Sequence, residues 1–218
     1  FKEMLLLFEN PSAGYVVVGN PDLSPETSHS VNIGAELRPV SWAWLSATFF
    51  RNDIDNLITT ESLETPSTEP LRFSYTNLAE AYTQGVELGA RLRLSDRLKV
   101  EAMYTLTDTW DVAEQRPLEG RAMHRASLQA AYAHEDGLDL SIRAAVFGQR
   151  PFYVDIDEDN VEERLDAPSY CSLDIRFGQD IGEHLTLFAG IDNLLNEGHV
   201  RYLPIQPRTF FGGLSGRL

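Results

Sequence analysis

The chain has 218 residues, 43% of them hydrophobic, with 18 Lys and Arg against 33 Asp and Glu for a net charge of -15. That balance argues against a nucleic-acid partner, whose phosphates need clustered Lys and Arg. Mean hydropathy is -0.24 and no apolar run approaches ~18 residues, which excludes a transmembrane helix but not transmembrane strands of ~9–11 residues with every second one apolar.

Period-two alternation between turn signals predicts about nine strands. Residues 1–28 read as a lead-in, and the first strand as His29–Arg38, with Val31, Ile33, Ala35 and Leu37 on one face. Pro39-Val40-Ser41 turns the chain into a second strand from Ala43 to Ile58, followed by the polar loop Thr59–Pro70. The segment Arg72–Leu94 ends in the cleanest alternation, where Val86, Leu88, Ala90, Leu92 and Leu94 interleave with Glu87, Gly89, Arg91 and Arg93. Ser95-Asp96-Arg97 leads into Leu98–Trp110; Arg121–His134 and Leu138–Gln149 then form a hairpin around Glu135-Asp136-Gly137. After the acidic loop Arg150–Ala167, three strands run from Ser169 to Leu218. Cys171, the single cysteine, permits no internal disulfide and shares a face with Leu173, Ile175 and Phe177, so it reads as a small apolar residue.

Short connections follow the odd strands and long loops the even ones, the asymmetry of an outer-membrane barrel with short periplasmic turns and longer extracellular loops. Arg91 and Arg93 fall on the polar face with Glu87; facing lipid at mid-membrane, each would cost about 2–4 kcal/mol. The expected fold is therefore all-β, an antiparallel transmembrane β-barrel segment in the bacterial outer membrane, with lipid against its apolar face. Nine strands would leave the first and last parallel, and open edges are not viable in lipid. The sequence is thus expected to be a piece of a longer chain, unless Met4–Glu9 and Tyr15–Val18 supply a tenth strand that closes a small barrel.

Gly19-Asn20-Pro21-Asp22-Leu23-Ser24-Pro25-Glu26 resembles the "GNPxLxPE" segment of TonB-dependent outer-membrane receptors, and Phe1-Lys2-Glu3-Met4 the stretch before it. Asn77-Leu78-Ala79 with Gly85-Val86-Glu87 resembles the "N…GxE" strand of those barrels. Asp192-Asn193-Leu194-Leu195-Asn196 and Pro207-Arg208-Thr209-Phe210 resemble their "NLxN…PGRxF" ending, with Gln206-Pro207 before Arg208 where the family usually has Pro-Gly and Leu218 where an aromatic is usual. The resemblance implies the C-terminal part of a barrel of ~22 strands, the size class with a plugged lumen. Residues 1–28 would be an extracellular lead-in and 29–218 barrel strands and loops, with the plug absent. It also implies TonB-dependent uptake of a scarce nutrient such as a ferric siderophore, haem or cobalamin, with the TonB complex engaged through the missing N-terminal plug. A structural or adhesive outer-membrane barrel without active transport is the alternative.

Aromatics near strand ends, Trp42, Trp44, Tyr104, Trp110, Phe152 and Tyr153, read first as interfacial girdles. Phe152 and Tyr153 are also the candidate residues for stacking on a ligand at the mouth. Glu87 is expected to make a salt bridge to a plug or rim, and Asn193 to be a hydrogen-bonding residue at a strand end. No cofactor is firmly indicated. Asp155, Asp157, Asp159, Val161, Glu163 and Asp166 occupy positions 1, 3, 5, 7, 9 and 12 of a calcium-loop pattern, set against a plain solvated acidic loop. An enzyme is not expected: His124 falls at one end of the strands and His134 and His184 at the other, and no nucleophile-elbow or zinc spacing occurs.

Overall fold

The computed structural model describes residues 2–10, 15–63, 71–154, 162–198 and 205–216. Among these a single short helix, α1 (Lys2–Leu5), precedes thirteen strands. They are β1 (Leu7–Asn10), β2 (Tyr15–Val18), β3 (Thr27–Val40), β4 (Ala43–Leu63), β5 (Leu71–Arg93), β6 (Leu98–Asp111), β7 (His124–Ala133), β8 (Leu138–Phe147), β9 (Arg150–Val154), β10 (Glu163–Ala167), β11 (Tyr170–Ile181), β12 (Leu185–Asp192) and β13 (Thr209–Gly216). The nine expected strands are β3 to β8 and β11 to β13. β3 runs on through Val40, so the first turn is Ser41-Trp42 instead of Pro39-Val40-Ser41, and β4 continues past Ile58. β12 stops at Asp192 because Asn193 takes a left-handed φ of 52°.

In sheet order β3, β4, β5, β6, β7, β8, β11, β12 and β13 follow one another, with β1-β2 joined to β5. Among the described residues β3 pairs only with β4 and β13 only with β12, so no pairing between the first and last of these strands is present there. The segments expected to supply a tenth strand build their own hairpin instead. β1 and β2 pair antiparallel from Leu7↔Val18 to Asn10↔Tyr15, and β2 pairs in parallel with the first four residues of β5. The acidic loop holds a hairpin the sequence did not announce, in which β9 and β10 pair from Glu163↔Val154 to Ala167↔Arg150.

The strands divide into two compact units. The first comprises Asn32–Phe50, Gly85–Asp108 and Glu119–Leu218. Its long strands are antiparallel throughout: β6 to β7 from Leu98↔Tyr132, β7 to β8 from Arg125↔Phe147, β8 to β11 from Tyr170↔Phe147, and β12 to β13 from Leu185↔Gly216. The turns are tight: the His134 N–H donates to the Leu138 carbonyl at 2.7 Å, while Gly137 and Gly182 hold φ of 80° and 66°, conformations glycine takes without steric cost.

Its two faces differ in kind. Leu37, Leu45, Leu88, Leu128, Ile142, Val146, Leu187 and Leu214 are all exposed, Leu37 at 65% and Leu214 at 64%. Soluble monomers rarely expose contiguous apolar surface beyond a few hundred Å², so this face is built for a nonaqueous surrounding. The opposite face carries the charges and also the close approaches. Gly85 lies against the Leu106 carbonyl and the Phe50 ring, leaving no room for a Cβ. Phe211 covers Gly190 and Phe188 covers Gly213, two cross-strand aromatic–glycine pairs in register that shield the bare backbone.

The second unit comprises Phe1–Val31, Arg51–Gln84 and Thr109–Leu118. Phe8, Tyr15 and Phe73 form a row across β1, β2 and β5 with ring centroids 6.1 Å apart at each step. The Asn20 N–H donates to the Glu3 carbonyl at 2.9 Å, tying the end of β2 to α1.

Candidate functional site

Alternation places Trp44, Ser46, Gly89, Arg91 and Glu101 on the polar face of the first unit, and the side chains meet there. The Arg91 guanidinium lies 4.5 Å from the Trp44 ring centroid and its Nε is 3.9 Å from Glu101 Oε1. Trp44 is therefore a cation–π partner on the charged side and not a girdle residue. Further along the same face Arg143 donates to Gln129 Oε1 at 3.2 Å, and Arg176 pairs with Asp192 at 3.3 Å beneath the Phe211 ring. Glu87 is exposed on this face and makes no ion pair among the described residues. At the turn end Arg97 Nη2 donates to Glu135 Oε1 at 2.6 Å, and that carboxylate holds the guanidinium further above its already high pKa.

The sequence motifs act as clamps on the loop end. In the second unit the Asn77 side chain accepts from the Ser24 N–H at 2.8 Å and donates to the Ser24 and Asn56 carbonyls at 3.1 and 2.7 Å. Asn20 donates to the Tyr75 carbonyl at 2.9 Å while its own oxygen accepts from the Asp22 N–H at 2.9 Å. Glu26 accepts from the Ile58 N–H at 3.1 Å, and Leu23 is buried at 8% exposure. The Gly19–Glu26 segment is thus pinned to the strand that carries Asn77. In the first unit Asn193 does the equivalent work, as expected of a strand-end hydrogen-bonding residue. It donates to the Glu197 and Gln206 carbonyls at 2.6 and 2.9 Å and accepts from the Glu197 N–H at 3.0 Å, while its own N–H donates to Asp174 at 2.9 Å. Asn196 accepts from the Arg208 N–H at 2.9 Å, which closes the "NLxN…PRTF" loop on itself.

Phe152 and Tyr153 both lie on β9, and as strand neighbours they face opposite ways. Phe152 shares a face with Arg150, whose guanidinium is 5.9 Å from its ring, and lies 3.9 Å from where a Gly120 Cβ would stand. The Tyr153 N–H donates to Glu119 at 3.4 Å. Of the calcium pattern, Asp155, Asp157, Asp159 and Val161 lie outside the described residues. Glu163 and Asp166 lie on β10, and Asp166 is paired with Arg164 at 2.9 Å. Among the described residues no group of three or more His, Cys, Asp and Glu could hold a metal ion. The histidines do not converge. His124 hydrogen-bonds the Tyr104 hydroxyl at 2.7 Å, His134 sits against Asp136 in its turn at 3.1 Å, and His184 lies in the next turn.

One constellation was not foreseen. The register aligns Arg125 with Phe147 and Phe147 with Tyr170, one residue each from β7, β8 and β11 at the loop end of the polar face. Phe147 and Tyr170 stack with centroids 4.7 Å apart and an interplanar angle of 11°. The Arg125 guanidinium lies 4.8 Å from the Phe147 ring, and that of Arg150 lies 5.3 Å from the Tyr170 ring. Among the described residues the buried Arg150 Nε has no hydrogen-bond partner.

With this geometry in place, the likenesses to known proteins are consistent. A family profile described as TonB dependent receptor-like, beta-barrel matches residues 1–194. The Heme/hemopexin utilization protein C of Haemophilus influenzae is 31% identical over 126 residues, covering 53% of this chain and 18% of that protein. The ferric enterobactin receptor PirA of Pseudomonas aeruginosa is 22% identical over 194 residues, 87% of this chain and 26% of that protein. The crystal structure of the siderophore receptor PirA from Acinetobacter baumannii superposes with a TM-score of 0.72 at 19% identity, covering 93% of this chain and 33% of that one. The chain spans about a quarter or less of these curated relatives, and the structural likeness, at this identity, concerns the fold.

Proposed function

Since the chain belongs to the TonB-dependent receptor-like β-barrel family, a family of bacterial outer-membrane proteins, we propose that it forms the C-terminal wall of a barrel of ~22 strands that takes up a scarce small nutrient. The nutrient class is a ferric siderophore, haem, cobalamin or a similar ligand; relatives named for ferric enterobactin and for haem support the first two. Energy would come from the TonB complex through a plug domain. Residues 1–28 would lead in from the extracellular side, and residues 29–218 would form wall strands and loops.

The observation that carries this reading is the two-faced wall of the first unit. Leu37, Leu45 and Leu88 stand exposed on one side, while Arg91–Glu101 and Arg176–Asp192 lie on the other. Such a wall has lipid outside and a charged or water-filled lumen inside. The test is uptake of radioiron, supplied as haem or as a ferric siderophore, by cells with and without the gene and with and without TonB. Gene- and TonB-dependent accumulation is the expected result. A heat-modifiable band no larger than 24.5 kDa in native outer membranes, with no TonB-dependent uptake, would leave the structural or adhesive barrel as the reading.

Two finer elements belong to the same proposal. Phe152, on the Arg150 face of β9, is a ligand-stacking residue at the mouth, with Tyr153 on the reverse side. Calcium binding by Asp155, Asp157, Asp159, Val161, Glu163 and Asp166 rests on their spacing in the sequence. Protection of the 155–166 segment from protease by millimolar calcium is the outcome expected, and cleavage indifferent to calcium would end it.

A further inference from the structure

The polar face of the first unit is hollowed toward the turns, and the hollow carries charge. There the register sets Lys99 of β6 level with Ala131 of β7, Ala131 level with Ser141 of β8, and Ser141 level with Arg176 of β11. Neighbouring strands lie about 4.8 Å apart, so two long cations flank two short residues. All four line a recess of about 290 Å³. One step nearer the turns Asp139 is level with Ala133 and with Gly178, whose missing side chain extends the hollow.

The charged groups around it are committed to different degrees. Lys99 makes no ion pair among the described residues, and Glu101, next along its face, is paired with Arg91. Asp139 is likewise without an ion pair among the described residues. Arg97, at the turn-side rim beside Asp96, is bound to Glu135. Arg176 is held in place: its Nη2 lies 3.3 Å from Asp192, the Phe211 ring is 5.4 Å away, and its side chain is still 60% exposed. A guanidinium has five N–H donors, so one such contact leaves most of them unused.

We infer that this recess is a docking socket for an acidic side chain carried on an extended peptide segment lying against the polar face. The carboxylate would sit over Ala131 between Lys99 and Arg176, accepting charge-assisted hydrogen bonds from both and one from the Ser141 hydroxyl. Asp139, one level nearer the turns, would accept from a backbone N–H of the same segment. That acceptor is what favours a peptide over a free anion. Asp139 repels a small phosphate, whereas a peptide brings a donor beside its carboxylate. The inference rests on the barrel reading, in which this face lines the lumen, and names the chemistry of what occupies the lumen at the turn end. It does not rest on transport.

The test treats the full-length receptor in native outer membranes with a water-soluble carbodiimide, which joins an amine to a carboxylate it touches. Digestion and mass spectrometry should find Lys99 joined to one Asp or Glu outside residues 29–218. Changing that residue to its amide should abolish the product. Lys99 should then be acylated about tenfold faster than in the intact receptor, because a paired ammonium gives up its proton less readily. A Lys99→Gln, Arg176→Gln variant should keep its heat-modifiable band yet release the segment to protease. The inference is overturned by no product, by product only to Asp96, Glu101 or Asp139 of the wall itself, or by a segment equally protected in the double variant. Protection of Lys99 that appears only with millimolar phosphate would overturn it too, making the recess a small-anion site. None of these readouts involves TonB or uptake, so the transport reading can fail with the socket intact, and the socket can fail with uptake unchanged.

Discussion

On the apolar side of β5, the side proposed to meet lipid, stand Val86, Leu88, Ala90 and Leu92, and on the polar, proposed lumenal side Glu87, Gly89, Arg91 and Arg93, yet the two rows are constrained in different ways. Toward lipid, chemistry is fixed and size is free. Ala35, Ala47, Ala90 and Ala102 leave a dish of about 640 Å³ between Leu37, Leu45 and Leu88, and on the proposed reading acyl chains, which conform to whatever surface they meet, would cover it. Toward the lumen, chemistry is free and fit is tight. Charged, aromatic and glycine residues stand side by side, and several have a particular neighbour: Arg91 over Trp44, Phe211 across Gly190, Gly85 against the Leu106 carbonyl. A solvent that adapts its shape selects for polarity alone, whereas a wall that packs against itself selects for shape.

The hardest test of that contrast is to exchange chemistry across the sheet. Leu88→Arg should cost about 2–4 kcal/mol of folding free energy in lipid vesicles. Arg91→Leu, three residues on and facing inward, should cost far less, because its ion pair with Glu101 is long and exposed. Urea titration followed by heat-modifiable migration reads both; equal losses would mean the faces are assigned wrongly. Size is the next variable to exchange. Gly85→Val drives a Cβ into the Leu106 carbonyl and the Phe50 ring and should cost about 1–3 kcal/mol. Ala90→Val, at the dish, should leave the midpoint unmoved. A tolerated Gly85→Val would show that the close approach relaxes at no cost.

The same contrast explains what could be read from the sequence. The long strands were legible because alternation of polarity, as in Leu98-Lys99-Val100-Glu101-Ala102, is what a lipid-facing wall requires. Shape complementarity leaves no such periodic trace. Arg125, Phe147 and Tyr170 meet only because two strand registers, β7 with β8 and β8 with β11, bring them level, and a slip of one residue would turn any of them outward. Trp44 reads as a girdle residue because tryptophan near a strand end is commonly interfacial, and only its neighbour Arg91 across the sheet shows its role. The β9–β10 hairpin escaped notice for a related reason. Pro151 and the acidic run masked a short alternation, although Phe152↔Leu165 was available as a cross-strand pair. Asn77 and Asn193 stand out in the sequence as family marks, but the loops they clamp show only in the hydrogen bonds.

Asn77 tests whether the rule of fit extends from the wall to the loop end. Asn77→Ala removes the partner of the Ser24 N–H and of the Ser24 and Asn56 carbonyls together. The site is only partly buried, so water can replace some of what is lost, and the expected cost is about 1–2 kcal/mol. The effect should be local, appearing as faster proteolysis between Gly19 and Glu26 with the heat-modifiable band retained. Asn77→Asp keeps the acceptor for Ser24 N–H but not the donor, and should fall between the two. A global loss of the folded band would mean that the lead-in is part of the wall's own stability.

At the turn end both constraints should vanish. Among the described residues Arg97 and Glu135 make the shortest ion pair of the first unit, at 2.6 Å, but Glu135 is 81% exposed. Water already solvates the carboxylate, so the contact gains little over the hydrated ions and must hold two long side chains in one arrangement. Glu135→Gln should therefore leave the urea midpoint unchanged within error at physiological salt, and it should show no more than a slight decrease at low ionic strength, where screening is weak. Distance alone would rank this pair above Arg91–Glu101; exposure ranks both near zero. If Glu135→Gln instead destabilised the protein as much as Gly85→Val, the turn would have to be packed against something that excludes water, and the periplasmic end of the wall would then belong with the lumenal face, where fit decides.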